Sequence, residues 1–285
     1  MPAQVLDGRE TARCIREELK KEVDRLQREL QVTPGLAVIL VGDDPASHLY
    51  VRNKAVACQE VGIKMDQYLL PRETREEVVL ELIERLNMDK AIHGILVQLP
   101  LPPQIDEMRV FEAVLPDKDV DGFHPVNLGS LLVGNPIFIS CTPVGILELL
   151  DKAGVEIEGR HGVVVGWSVI VGKPLVSLLL QRRATVTVCQ IWTRDLASHT
   201  RQADILVVAA GSPGLITAPM VKEGAVVIDV GLNRLEDGRI VGDVDFQGVA
   251  EKASLITPVP GGVGPMTVAM LLRNTLKACK RACVA

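Results

Sequence analysis

Short runs of Val, Ile, Leu and Ala, bounded by glycine, proline or polar residues, alternate along this chain with longer segments whose apolar positions recur at helical spacing. Parallel strands need crossover connections, and the helices that supply them cover both faces of the sheet, so such strands read as continuous aliphatic runs. Composition points the same way: aromatic residues are only 3% of the 285, so aliphatic side chains have to fill the core. An α/β fold follows. At roughly 150 residues per domain the length accommodates two domains.

In the first half the pattern predicts a helix over 8–30 and a strand over Leu36–Gly42. A helix runs from Asp44-Pro-Ala-Ser47, with Ser47 as its expected cap, to about Gly62. A strand near Met65–Leu70, a helix over Thr74–Leu86 and a strand over His93–Gln98 come next. Leu99-Pro-Leu-Pro-Pro103 then ends ladder hydrogen bonding, because proline has no N–H to donate. After a helix near Glu107–Val114 and the loop Pro116–His124, Thr142-Pro143 opens a helix to about Ala153, expected to bridge the domains. The second half carries strands at Gly162–Gly166, Ala184–Cys189, Ile205–Ala209 and Ala225–Val230, and an amphipathic helix over 266–282.

Charge and cysteine usage exclude several function classes. With 31 Lys and Arg against 36 Asp and Glu, the net charge of −5 leaves no basic surplus for a phosphate backbone, so nucleic acid is not an expected partner. The chain opens without a charged segment followed by an apolar run, and no stretch reaches about 18 uninterrupted apolar residues, so a cytoplasmic protein without a membrane is expected. Six cysteines (Cys14, Cys58, Cys141, Cys189, Cys279 and Cys283) are scattered, as reduced thiols are. Cys279 and Cys283 share a helix face but lack flanking His or carboxylate ligands, and no metal site is expected.

Two places carry chemistry. Val163-Val-Val-Gly-Trp-Ser-Val-Ile-Val-Gly-Lys-Pro174 reads as a strand entering a helix through a tight turn. In a dinucleotide-binding sheet that turn approaches a pyrophosphate, and the helix N-terminus supplies N–H donors and partial positive charge. Gly166, Ser168 and Gly172 stand where small residues are needed, although Gly-x-Ser-x-x-x-Gly is not the generic glycine pattern and a plain βα turn has the same look. The next strand ends at Cys189-Gln190, where an acidic residue reads a ribose 2′-hydroxyl and an arginine holds a 2′-phosphate. Gln190 is neither, and Arg194 reads as a solvated loop charge. On the helix after Asp44, a rise of about 1.5 Å per residue puts Tyr50, Lys54 and Cys58 in one row. Alone, that row also describes a lysine lying over an apolar seam.

Tyr50-x-x-x-Lys54, Gly94-Ile-Leu-Val-Gln-Leu-Pro-Leu-Pro102, Asp117-Lys-Asp-Val-Asp-Gly122, Gly166-x-Ser-x-x-Val-Gly-x-Pro174 and Pro258-Val-Pro-Gly-Gly-Val-Gly-Pro-Met-Thr267 together resemble the bifunctional methylenetetrahydrofolate dehydrogenase/methenyltetrahydrofolate cyclohydrolase family. The match runs in order over nearly the whole chain. The resemblance implies a folate-binding α/β domain over 1–140, completed by 266–285, a Rossmann-type parallel sheet over 141–265, and an active cleft between them. It implies oxidation of 5,10-methylenetetrahydrofolate to the methenyl cation, hydrolysis to 10-formyltetrahydrofolate, a place in purine biosynthesis, and a homodimer. Lys54 would move protons, Gln98 would position it, Tyr50 would stack on the folate and Asp121 would bind the pterin. Gly122, Pro260, Gly261 and Gly262 would also face the substrate. Gly166, Trp167, Ser168, Val171, Gly172, Gln190, Ile191, Trp192, Ala210, Gly211, Val230, Gly231 and Thr267 would line the dinucleotide.

The residues themselves make these roles intelligible. A methenyl cation is already electrophilic, so its hydrolysis needs no metal but a positioned water and a proton relay. Burial draws a lysine towards neutrality, and a neutral Gln98 does not lock it as an ammonium the way a carboxylate would. Asp121 can accept hydrogen bonds from an amino-pyrimidine edge, or else cap an Asp-rich turn. His124 reads as structural or substrate-proximal. NADP is the dinucleotide the family implies, yet Trp167 stands where NADP-using members carry arginine, and Gln190-Ile191-Trp192 where they carry a polar, basic run. Lost guanidinium contacts of about 1.5–3 kcal/mol each favour NAD or a relaxed preference. The competing reading is a catalytically silent folate or dinucleotide sensor of the same fold, against which the intact Tyr50, Lys54, Gln98 and Asp121 speak.

Overall fold

A computed structural model of the chain describes residues 2–284. In chain order its elements are β1 (Gln4–Val5), α1 (Gly8–Leu30), β2 (Gly35–Val41), α2 (Pro45–Val61), β3 (Lys64–Leu70), α3 (Glu76–Met88), β4 (Gly94–Val97), α4 (Glu107–Ala113), α5 (Pro125–Leu132) and α6 (Cys141–Lys152). They continue as β5 (His161–Val165), α7 (Gly172–Gln181), β6 (Thr185–Cys189), α8 (Leu196–Thr200), β7 (Ile205–Val208), β8 (Val226–Asp229), β9 (Asn233–Arg234), β10 (Ile240–Val241), α9 (Phe246–Ala250), β11 (Leu255–Ile256) and α10 (Val263–Val284). Two α/β units result, one formed by 13–141 with 268–284, the other by 142–267 with the described residues up to Ala12.

The first unit is built on a parallel sheet of order β3-β2-β4, with Ile39 opposite both Tyr68 and Val97. Every residue of β2 and β4 is buried, as the aliphatic runs require. Ile39, Val41, Ile95 and Val97 share a core with Val79, Leu82, Ile83 and Leu86 of α3. Truncating one of these isoleucines or leucines to alanine costs about 2–5 kcal/mol.

The start of α2 corrects the expected cap. Asp44, not Ser47, is the N-cap: its carboxylate accepts both the N–H and the hydroxyl of Ser47 at 2.8 Å. Pro45 fits the first helical turn because its missing N–H would have had no intrahelical partner there, so the helix starts before the serine. Gly62, in left-handed conformation at φ 83°, closes the other end. The helix α5 was not anticipated from the sequence. His124 Nδ1 caps it by accepting the Val126 N–H at 3.0 Å, which gives that histidine a structural task.

The second unit carries a parallel sheet of order β1-β11-β8-β7-β5-β6. The chain leaves β5 to pair β6 on one side and returns to pair β7 on the other, and the crevice outside the carboxyl ends at such a reversal is where this sheet type takes ligands. The first residues correct the expected 1–140 boundary, because Gln4 and Val5 pair with Leu255 and Ile256 of β11. A two-residue strand is too short for a period-2 pattern, so nothing in the sequence marked it.

Candidate functional site

Lys54 lies on the face of α2 that packs inward, buried to 8% exposure, with Tyr50 half-buried one turn before it. Its Nζ donates to Gln98 Oε1 at 2.8 Å, and Gln98 Nε2 donates to the Leu99 carbonyl at 2.7 Å. Exchanging the amide's oxygen and nitrogen would set donor against donor and acceptor against acceptor, so Gln98 is held in one orientation. The Gln98 backbone N–H donates to the Ile39 carbonyl at 2.8 Å, which fixes the residue to the end of the buried sheet. Burial pulls the Lys54 amine below the ordinary lysine value, opposed by the charge of Asp121 and, more weakly, by the thiols of Cys141 and Cys58. Burial also pushes the Tyr50 phenol up.

The Asp-rich loop divides its work between two carboxylates. Asp119 Oδ1 accepts the N–H groups of Gly122 and Phe123 at 3.0 and 3.1 Å. Its Oδ2 accepts His124 N–H at 2.9 Å and Asn127 Nδ2 at 2.8 Å. Asp119 is thus the turn-capping carboxylate of this loop. Burial pushes the Asp121 carboxyl up to about 6, with Lys54 opposing and Asp119 adding to the rise. Gly122 holds φ 76°, and a Cβ there would lie 2.6 Å from the backbone of Ile139 and Ser140, so this loop crosses residues 139–140 at a distance that excludes other side chains.

The sequence reading missed Asn274 and the place of Cys141. Asn274 Nδ2, from α10, donates to the carbonyls of Val120 and Ile139 at 2.8 and 3.1 Å and lies 3.6 Å from Cys141 Sγ. Cys141 Sγ in turn donates to the Val120 carbonyl at 3.3 Å. The residue before Asp121 is therefore pinned twice. Burial pushes the Cys58 thiol up to about 12 and the Cys141 thiol well above its ordinary value, so both line the amine as neutral groups. One signal was available: Asn274 stands one helical turn from buried Met270 and one from buried Ala278, a polar residue on an apolar stripe.

In the second unit the turn after β5 has the shape of a phosphate cradle. Gly166 has φ 120°, and a Cβ on it would fall 2.1 Å from the Ala209 carbonyl oxygen. A Cβ on Gly172 would fall 2.2 Å from the Gly166 carbonyl oxygen. Ser168 Oγ accepts the N–H of Val171, a buried residue, at 3.1 Å, and α7 begins at once, presenting its first-turn amides. This cradle fits a dinucleotide pyrophosphate. Asp243 accepts the amides of Ala210, Gly211 and Ser212 at 2.6, 2.9 and 2.9 Å, so this loop offers a shaped surface rather than spare donors. Gly231 lies so close to Asp243 that a Cβ would sit 2.3 Å from its carboxyl carbon, and Val230 N–H donates to the Val208 carbonyl at 2.8 Å. Thr267 Oγ1 meets Thr142 Oγ1 at 2.9 Å; Gly261 and Gly262 are buried and Pro260 is exposed.

At the adenosine end, Gln190 N–H donates to Thr193 Oγ1 and Thr193 N–H to the Gln190 carbonyl, both at 2.8 Å. This closes a turn with Ile191 and Trp192 at its tip, 89% and 83% exposed. Trp167 is 45% exposed, with Lys173 Nζ 5.9 Å from its ring centroid. Gln190, Ile191, Trp192 and Trp167 carry no charge, so the residues expected around a 2′-phosphate do not fit one.

Residues 6–121 match the family model described as the tetrahydrofolate dehydrogenase/cyclohydrolase catalytic domain, and residues 140–283 match the NAD(P)-binding domain of the same family. The chain belongs to the tetrahydrofolate dehydrogenase/cyclohydrolase family. It is 58% identical over 281 residues to the bifunctional protein FolD of Moorella thermoacetica, covering 99% of this chain and all of that protein. Among solved structures of tetrahydrofolate dehydrogenase/cyclohydrolases, it is similar to the bifunctional FolD enzyme of Campylobacter jejuni, with TM-score 0.95, 51% identity and coverage of 98% and 99%. A Trypanosoma brucei FolD in complex with NADP cofactor and an inhibitor superposes with TM-score 0.97 at 43% identity, over 100% of both chains.

Proposed function

We propose that this tetrahydrofolate dehydrogenase/cyclohydrolase oxidises 5,10-methylenetetrahydrofolate to the methenyl cation and hydrolyses that cation to 10-formyltetrahydrofolate. The observation that carries the reading is the buried amine of Lys54, held at 2.8 Å by a neutral, oriented Gln98 and coupled to Asp121. In the redox step a bound nicotinamide dinucleotide supplies the hydride acceptor. In hydrolysis, neutral Lys54 takes a proton from the water that attacks the methenyl carbon. It returns that proton to the ring nitrogen as the carbon–nitrogen bond breaks, while the hydroxyl of the adduct gives up its own proton to solvent, so that the formyl carbonyl forms on the other nitrogen and one proton is released overall. A cationic substrate lowers the amine's proton affinity further, so more of the amine is in its neutral, proton-accepting form when it is needed. Asp121 accepts hydrogen bonds from the pterin's amino-pyrimidine edge and sets a negative charge near the cation. Tyr50 stacks on the folate, and Gly166, Ser168 and Gly172 hold the pyrophosphate against the start of α7.

For the dinucleotide, the family implies NADP, whereas the uncharged Trp167, Gln190, Ile191 and Trp192 favour NAD or a relaxed preference. The comparison of kcat/KM for the two cofactors tests this, and a strong NADP preference would refute it. The same resemblance supports a cytoplasmic homodimer whose product feeds purine biosynthesis. The function itself is tested by following methenyltetrahydrofolate absorbance. Turnover by hydrolysis, together with substrate-dependent reduction of a dinucleotide, is expected; binding of either ligand without turnover would overturn the reading.

A further inference from the structure

Apolar side chains at the tip of a tight turn do nothing for the fold, because such positions are filled at least cost by polar residues or glycine. Ile191 and Trp192 stand at such a tip, 89% and 83% exposed. Their turn leaves β6 where the Gly166 N–H donates to the Cys189 carbonyl at 2.8 Å, so Trp167 and Gln190–Trp192 depart from adjacent strands at the same end of the sheet. That is the carboxyl end, beside the reversal at β5, where the adenosine of a dinucleotide lies in sheets of this order. The strand-end residue has neither a carboxylate for a ribose diol nor a guanidinium for a phosphate. What the surface offers instead is two indole rings, one of them with Lys173 5.9 Å from its centroid.

We propose that this chain reads the adenine of its dinucleotide by stacking on Trp192, with Trp167 as the second indole wall, so that affinity does not depend on a 2′-phosphate. The inference rests on the dinucleotide reading above and adds the physical means of specificity. Stacking accepts any adenine nucleotide, depends little on salt, and gives a 2′-phosphate no partner to repay its lost hydration. Trp192 is then a specificity-determining residue.

The protein's only tryptophans are Trp167 and Trp192, so its indole emission reports on this place alone. Titration of the full chain with AMP, NAD and NADP at low and high salt is expected to quench the emission, with NADP binding no tighter than NAD and both nearly indifferent to salt. Trp192→Ala should weaken all three ligands about tenfold, read by calorimetry, and Trp192→Phe should recover most of that loss. Far-UV circular dichroism verifies that the variants fold.

NADP binding that is tenfold tighter than NAD and falls steeply with salt would overturn the proposal in favour of phosphate readout. Unchanged NAD affinity in Trp192→Ala would overturn the stacking while leaving the dinucleotide reading in place, provided NAD is still reduced. Loss of self-association in that variant, with nucleotide affinity intact, would assign the patch to an interface between copies of the chain. Failure of any dinucleotide to bind the wild type would strike the underlying reading itself.

Discussion

Lys54 and Trp192 lie under opposite constraints. The lysine is 8% exposed and reaches a backbone carbonyl through Gln98, on a frame of fully buried strands. The tryptophan is 83% exposed on a turn closed by Thr193, with no core depending on it. A substitution at the first place disturbs packing, hydrogen bonds and proton affinity together. At the second the fold stands, since exposed positions away from caps and cores change stability by only about 0.5 kcal/mol, and the proposed effect is on which ligand is preferred. In the function proposed above, the chemistry of the reaction belongs to the interior of one unit and the choice of dinucleotide to the surface of the other.

The sharpest break of this contrast is Lys54→Met. Hydrolysis of methenyltetrahydrofolate should fall about a thousandfold, the weight of a positioned proton relay, while in the melting temperature the relief of removing a buried amine and the loss of the donor to Gln98 Oε1 oppose each other. Retained cyclohydrolase activity would remove Lys54 from its role. Gly166→Ala forces a methyl group against the Ala209 carbonyl oxygen at 2.1 Å. Dehydrogenase activity should drop about a hundredfold or more, through weaker dinucleotide binding read by calorimetry, and far more than hydrolysis drops. Equal losses in both reactions would mean that the turn serves folding alone.

A smaller effect belongs to Asn274→Ala, which strips the Val120 and Ile139 carbonyls of a donor. An unfolding free energy lower by about 1–3 kcal/mol and a severalfold lower kcat/KM for hydrolysis are expected. Unchanged kcat/KM would make Asn274 a stability residue only.

The smallest effect is a pH dependence. The folded Asp121 carboxyl titrates at about 6 against an ordinary value of 3.8, so between these values the folded chain holds more proton than the unfolded one, and stability falls as pH rises. Asp121→Asn removes that slope, and its melting midpoint relative to wild type should rise between about pH 4 and 6. A difference independent of pH would contradict the buried, perturbed carboxyl.

The sequence made the alternation of strands and helices legible because aliphatic runs and helical periodicity are local. It exposed Tyr50, Lys54, Gln98 and Asp121 because they sit within extended motifs. What stayed hidden depended on contacts between distant segments. Asn274 lies 154 positions from the carbonyl it holds, and β1 is a strand only because β11 is there to pair with it. The division between Asp119 and Asp121 was likewise invisible, since two aspartates two positions apart differ only in which groups surround them. His124 is explained by a helix start that its own sequence spells, a histidine followed by proline, but that residue pair has too many other uses to be read alone.

Burial beside a neutral amide draws the Lys54 amine below the ordinary lysine value. An NMR pH titration of lysine labelled at the carbon next to Nζ tests it directly, with Lys54→Met assigning the resonance and Gln98→Glu as the contrasting variant. A Lys54 midpoint below the ordinary lysine value of about 10.4 is expected in the wild type, and a midpoint raised in Gln98→Glu by the added carboxylate. A wild-type midpoint at or above the ordinary value, unmoved by Gln98→Glu, would contradict it.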